Sequence, residues 1–218
     1  VIKTEKNAEM LERCPHEAIS NLSVIAKCEL GEGRTILVTD EFVQLLHMSG
    51  EEIMEQARAN SAKEGYVCQN LSQTISQVLA GDLSMEKEVS EMINISEDDY
   101  PMYVVTTSRQ YDGASVIVSK PFLEDVHKKL GEDYYVLPSS RHEILAVPVS
   151  RAPELPDLKD LVHMVNQTEV QERDWLSDDV YYFDGRSLKL ADTVVEEREN
   201  SFKESLEQGL TVEHHRSR

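Results

Sequence analysis

A chain of 218 residues carries 41 acidic against 22 basic side chains, a net charge of −19, with 40% apolar and 29% charged residues. That length buries a full hydrophobic core, in one large domain or two small ones, without disulfide or metal staples, and no run approaches the roughly 18 apolar residues of a membrane-spanning helix. The charge repels nucleic acids and anionic membranes, and three cysteines without C-x-x-C spacing, Cys14, Cys28 and Cys68, fit reduced thiols of a cytoplasmic protein better than a disulfide framework or a zinc knuckle.

Residues 1–18 form an N-terminal segment expected to be helical. Residues 20–30 and 34–39 read as strands flanking Gly31-Glu32-Gly33, a glycine-rich turn, and Asp40 is placed to cap a helix running toward His47. Ser49 with Glu52 makes a capping box for another helix reaching about residue 62, so 19–64 is a ββα unit plus a helix. Residues 65–100 read as a helical, acidic connector. Within it Asp82, Glu86, Glu88, Glu91, Glu97, Asp98 and Asp99 face only Lys87, a solvated face or a docking surface for a basic partner.

From 102–107 and 114–119 run two β-branched segments around Asp112-Gly113, a hairpin signal. Pro121 suits the first turn of a helix whose Phe122, Val126 and Leu130 share a face, with Gly131 placed to end it. A second set follows: strands at 134–137 and 144–149, then a helix from Pro156 with Leu158, Leu161, Val162 and Val165 on one stripe. Residues 101–191 therefore read as a ββαββα module closed by a hairpin of 180–183 and 187–191 around Asp184-Gly185. Residues 192–218 are polar, either a surface helix over 194–210 or a disordered tail. The adjacent pairs Tyr134-Tyr135 and Tyr181-Tyr182 alternate across strands, one member of each buried and one exposed. Thr35-Ile36-Leu37-Val38-Thr39 aligns with Ser115-Val116-Ile117-Val118-Ser119, Phe42 with Phe122 and His47 with His127, which fits duplication. The expected fold is α+β: a mixed, largely antiparallel sheet with helices packed on it, built from repeated ββα units.

Pro101-Met102-Tyr103-Val104, Asp112-Gly113-Ala114, Tyr135-Val136-Leu137-Pro138-Ser139-Ser140, His142-Glu143-Ile144-Leu145 and Leu176-Ser177-Asp178-Asp179-Val180-Tyr181-Tyr182 together resemble a bacterial family of Clostridia and related Firmicutes, domain of unknown function 5688. The resemblance covers about 14–184. It implies an α+β fold and a glycine at the position of His47, and brings no activity, cofactor or catalytic residue with it.

The densest polar cluster is Ser139, Ser140, Arg141, His142 and Glu143, in a short connection between two apolar strands, where functional side chains are often displayed. A serine–histidine nucleophile needs the imidazole within reach of the hydroxyl and a third orienting group, which near neighbours in one turn seldom achieve, and there is no G-x-S-x-G elbow. No catalytic residue is assigned. Instead the cluster is a candidate binding site, with His142 expected at the edge of a concavity beside Arg141 or a serine. No metal or cofactor is expected: His142-Glu143 lacks the second histidine of H-E-x-x-H, and Gly31-Glu32-Gly33 lacks the setting of a phosphate loop. His47, His127 and His163 recur five residues after Phe42, Phe122 and Leu158; they would share a site only if three helices converged, and their spacing reads as boundary positions. The leading expectation is a non-enzymatic intracellular binding protein with a protein partner, basic if the acidic surface is used. The alternatives are a hydrolase-like enzyme using the 139–143 turn and an acidic inhibitor or nucleic-acid mimic.

Overall fold

The computed structural model describes residues 1–31, 34–75, 101–138 and 140–216, with side chains through residue 205. The acidic run over 82–100 and Ser139 lie outside the described residues. In chain order the elements are β1 (Ile2–Lys3), α1 (Ala8–Leu11), β2 (His16–Ile19), β3 (Leu22–Ile25), β4 (Lys27–Gly31), β5 (Arg34–Leu37), α2 (Asp40–Leu45), α3 (Gly50–Glu64), β6 (Tyr66–Asn70), β7 (Tyr103–Thr107), α4 (Lys120–Leu130), β8 (Tyr134–Leu137), β9 (Ile144–Pro148), α5 (Leu155–Thr168), β10 (Tyr181–Phe183), β11 (Leu188–Leu190) and α6 (Ala191–Arg216). The fold is α+β, as expected.

Six strands form one antiparallel sheet in the order β11-β10-β8-β9-β7-β6. Successive side chains of a strand face opposite sides, and here both sides are covered. Tyr134, Val136, Ile144, Ala146, Tyr181 and Phe183 join Leu123 and Val126 of α4 in one core. Leu137, Val147, Val180 and Tyr182 join Leu158 and Val162 of α5 in a second. Tyr181 and Tyr182 are therefore both buried, against the expected alternation. The closing hairpin pairs Tyr181 with Leu190 and Phe183 with Leu188. α4 carries Pro121 in its first turn and ends at Gly131, which is left-handed and returns its N–H to His127 O at 2.8 Å. Ser49 and Glu52 form the expected capping box on α3; on α2 the cap is Thr39, one residue before Asp40.

Further expectations are corrected. Residues 113–118 are a 3-10 helix, not a strand. Strand β7 already has both edges paired, to β9 and β6, so the apolar run folds over the sheet and buries Ala114, Val116 and Ile117 beside α4. With no strand there, 101–130 is not a ββα unit and the duplication fails. The missing edge comes from β6, inside a stretch read as helical, and 1–18 holds two short strands and only one turn of α-helix. The expected strand over 20–30 is divided: β3 sits between β1 and β2 in a three-stranded sheet, while β4 pairs with β5 in a separate hairpin. Residues 191–216 are helical.

His47 follows the last turn of α2 with φ 54, the left-handed conformation in which glycine is unstrained. A glycine at this position would hold that conformation without strain.

The N-terminal part closes its own core from Val24, Ala26, Val38, Val43, Ile53 and Met54. Leu22 reaches into the sheet core, and Asn21 ties the turn after β2 to Ser177 at 3.0 Å, to Asp179 and to the Tyr181 hydroxyl.

Candidate functional site

The polar turn at 138–143 is the loop of the β8–β9 hairpin, whose strands keep Leu137 opposite Leu145. Its backbone is pinned on both sides. Arg141 N–H donates to Asp174 O at 2.8 Å, Arg141 O accepts from Ala114 N at 3.1 Å, and His142 O accepts from Thr106 Oγ1 at 2.7 Å. Ser140 bridges to Trp175; it is buried, and its hydroxyl accepts the backbone N–H of His142 at 3.1 Å rather than facing the imidazole. That hydroxyl stabilises the turn, a local role common to serine. Glu143 is half-buried at the start of β9.

Arg141 and His142 are drawn into a cluster with residues distant in sequence. The Arg141 guanidinium lies 5.7 Å from the centre of the Tyr111 ring and donates to its hydroxyl at 3.3 Å. Arg141 Nε approaches His142 Nε2 at 3.3 Å, Asp174 Oδ1 at 2.9 Å and Asp112 Oδ1 at 3.7 Å. Asp112 N–H points at His142 Nδ1 at 3.4 Å, and the Tyr111 and His142 rings are 5.2 Å apart. Gln110 and Asp112 both have positive φ, 56 and 49, a sparsely populated backbone that persists where surrounding contacts impose it. Lys27 of β4 closes the cluster through an ion pair with Asp112.

The cluster forms one wall of a groove of about 980 Å³. Its floor is apolar, from Ile25 and Ala26 through Val38, Phe42, Met48 and Ile53. Lys27, Arg109 and Arg141 alternate with Glu29, Glu64 and Asp112 around the rim. Arg109 clamps Glu64 through two bonds of 2.9 Å and reaches Glu29 at 2.8 Å. The hydrogen bond from Arg109 holds the Glu64 carboxyl below its ordinary pKa, with burial opposing, and the two acids raise that of Arg109. The groove thus has a dry floor and a rim of neutralised charge pairs, the composition of a site that takes an apolar group and orients it with polar contacts.

Of the five candidates, Arg141 lines the groove, His142 and Ser140 stand behind it, Glu143 is outside its lining, and Ser139 is outside the described residues. Tyr111, Asp112, Lys27, Arg109 and Asp174 were missed. Asp112 was read as a hairpin residue, and the others carry no local signal, since only tertiary pairing assembles them.

The histidine recurrence does not make a site. His127 Nε2 bonds Asp133 at 3.0 Å, while His163 Nδ1 bonds Asp178 at 2.8 Å from the opposite face of the sheet. Among the described residues no group of three or more His, Cys, Asp or Glu is gathered that could hold a metal ion, and no helix is long and apolar enough to cross a membrane.

A second, smaller hollow of about 510 Å³ lies where α6 crosses the β10–β11 hairpin. At its base Arg198 Nη2 donates to the Tyr182 hydroxyl at 2.8 Å, and that hydroxyl donates to Asp133 at 2.5 Å. The Tyr182 bond, with a smaller contribution from His127, keeps the Asp133 carboxyl below its usual pKa against burial; burial and then Asp133 raise that of Tyr182.

Compared with known families, residues 1–185 match one described as "Family of unknown function (DUF5688)". No curated protein and no solved structure matches the chain.

Proposed function

The chain belongs to the DUF5688 family of unknown function, and we propose that it is a non-enzymatic binding module whose groove takes an extended apolar segment of a partner protein. The observation that carries this reading is the apolar floor running between the β4–β5 hairpin and α3, walled by Arg141, Tyr111 and Asp112. A two-stranded hairpin offers edge backbone groups to an added strand, and alternate side chains of that strand would drop into the floor. Ser140 and His142 serve as supports for Arg141. The net charge of −19 steers approach toward a basic partner. Three free cysteines support a reducing, cytoplasmic setting.

The test uses a displayed random peptide library, with selected peptides resynthesised and their affinity measured by fluorescence anisotropy. Enriched sequences carry apolar anchors at alternate positions, and Asn60→Trp and Gln56→Trp, exposed positions that line the groove from α3, weaken binding at least tenfold with an unchanged melting temperature. Selection of no peptide above background, or binding indifferent to both substitutions, overturns the proposal.

A further inference from the structure

We infer that His142 is a proton-sensitive latch on the groove, holding its wall in place when neutral and releasing it when protonated. The inference rests on the groove being the binding site, and concerns how that site is regulated.

Both ring nitrogens of His142 face N–H donors: Asp112 N–H at Nδ1, 3.4 Å away, and Arg141 Nε–H at Nε2, 3.3 Å away. A neutral imidazole carries one proton and accepts at one nitrogen, whereas an imidazolium carries two and accepts at neither. The neutral ring accepts one of these two bonds and turns its own N–H toward the other donor; protonation ends the accepted bond, whichever tautomer was present, and adds a positive charge beside the Arg141 guanidinium. An acceptor for the new proton is already in place. Asp174 Oδ1 is buried and accepts no hydrogen bond; it lies 2.9 Å from Arg141 Nε, whose N–H is directed at the ring, and 3.6 Å from His142 Nε2. A protonated ring is drawn to that oxygen and competes with Arg141 for it. Either movement, of Arg141 away from Asp174 or of Asp112 away from Nδ1, displaces a residue that lines the groove.

Charged groups surround the ring from several elements. On its own turn stands the Arg141 guanidinium. From the loop after α5 stands Asp174 Oδ1, 3.6 Å from Nε2, with Arg173 Nε 3.5 Å from the other Asp174 oxygen. From the loop after β7, the Asp112 carboxylate is neutralised by Lys27 of β4, and the Tyr111 ring packs on the imidazole. Val1 borders the same groove, and where it carries a free amine burial lowers the pKa of that amine to about 6, so the experiment has to separate the two. The latched form is the one with a neutral ring, so acidification is the direction that releases it.

Two measurements test this and fail independently. The first needs no ligand: the His142 ring and the Asp112 amide are followed by NMR from pH 8 to 5 in the wild type and in His142→Gln, whose amide cannot gain a charge. The Asp112 amide is expected to shift with the midpoint of the His142 ring, and to lose that transition in the variant while any Val1 transition persists. An Asp112 amide that ignores the ring, or that titrates unchanged in His142→Gln, overturns the latch whatever the groove binds. The second measures the ratio of affinities for a selected groove peptide at pH 7.5 and 5.5. Binding linked to one proton weakens on acidification, by more than about twofold over this span and by no more than about tenfold per pH unit. The ratio falls below about twofold in His142→Gln; a wild-type ratio near one overturns the inference. Failure to select any peptide sinks the groove reading and leaves the NMR result standing.

Discussion

Replacing Gly113 by alanine strikes the point where three segments of the fold meet. A Cβ on Gly113 would lie 1.9 Å from Thr106 Oγ1, 2.1 Å from the His142 backbone oxygen and 2.9 Å from Thr106 Cβ. It falls directly on the hydrogen bond from Thr106 to His142, and the carbonyl cannot swing aside because Arg141 on the same turn is pinned at both backbone groups. Overpacking a filled interior costs about 1–3 kcal/mol, and loss of a hydrogen bond that leaves a buried acceptor unmet adds about 1–3 kcal/mol, for a total of about 2–6 kcal/mol. For a chain of this size each kcal/mol lowers Tm by about 2–4 °C, so thermal unfolding followed by circular dichroism should show a loss of about 4–24 °C. Gly131→Ala is the control: its φ is +77 but its Cβ meets nothing within 4 Å, and the backbone penalty alone is about 1 kcal/mol. Adding Thr106→Ala to Gly113→Ala removes the collision with Oγ1 and leaves those with the His142 carbonyl and the residue 106 Cβ, so the double variant stays well below Thr106→Ala alone. A Gly113→Ala protein melting within about 3 °C of wild type would refute the close packing of the 113 turn against 142, and with it the placement of the candidate site.

Tyr182→Phe removes the hydroxyl linking Arg198 to Asp133 and is expected to cost about 1–3 kcal/mol, measured by urea unfolding. Because the Asp133 pKa is depressed in the folded state, its contribution is present above the ordinary carboxylate value and lost as pH falls through the folded one; the gap between wild type and variant is full at pH 7 and narrows below about pH 4 to the share of the Arg198 bond. His47→Gly relieves a left-handed residue on an exposed turn. The relief of about 1–2 kcal/mol exceeds the entropy glycine adds to the unfolded chain, so the variant gains about 0.5–1 kcal/mol, and a lower Tm would show that the imidazole makes a contact worth more than the strain.

What was legible in the sequence follows the range over which each signal acts. Caps and breakers act within a turn, so the Ser49–Glu52 box, Pro121 and Gly131 placed their helix ends correctly. Strand runs bounded by turn residues were legible where the partner is the next run in the chain, as in β8 with β9 and β10 with β11. They failed at 113–118, because a short apolar run is equally a buried strand or a buried helical turn, and the choice depends on whether a neighbouring edge is free. Here the edge of β7 is filled by Tyr66–Asn70, so far upstream that no local pattern announces the pairing. The apparent repeat arose from the same ambiguity: both copies end in an apolar run before a helix, but only in the first does that run form a strand.

The site divides in the same way. The 138–143 turn stands out because Pro138, Ser139, Ser140, Arg141 and His142 follow one another without a break, and their concentration is itself a local signal. Its partners, Tyr111, Asp112, Asp174 and Lys27, are ordinary residues singly and acquire meaning only from distance. The correction at 113–118 is what joins the two halves. Had those residues paired as a strand, Asp112-Gly113 would have been a solvent-facing hairpin turn. As a 3-10 helix the segment brings Gly113 under the His142 carbonyl, sends Ala114 N–H to Arg141 O, and aims Asp112 N–H at the imidazole. The conformation least legible from the residues is thus the one that positions the groove wall. It follows that a substitution disturbing this turn without replacing Arg141 or His142, such as Gly113→Ala, whose Cβ meets the His142 backbone oxygen and Thr106, should weaken peptide binding in any fraction that remains folded, with loss of the coupled shift of the Asp112 amide. Retention of both in that fraction would mean that Arg141 is held by Asp174 and Tyr111 alone, and that the 3-10 turn is only packing.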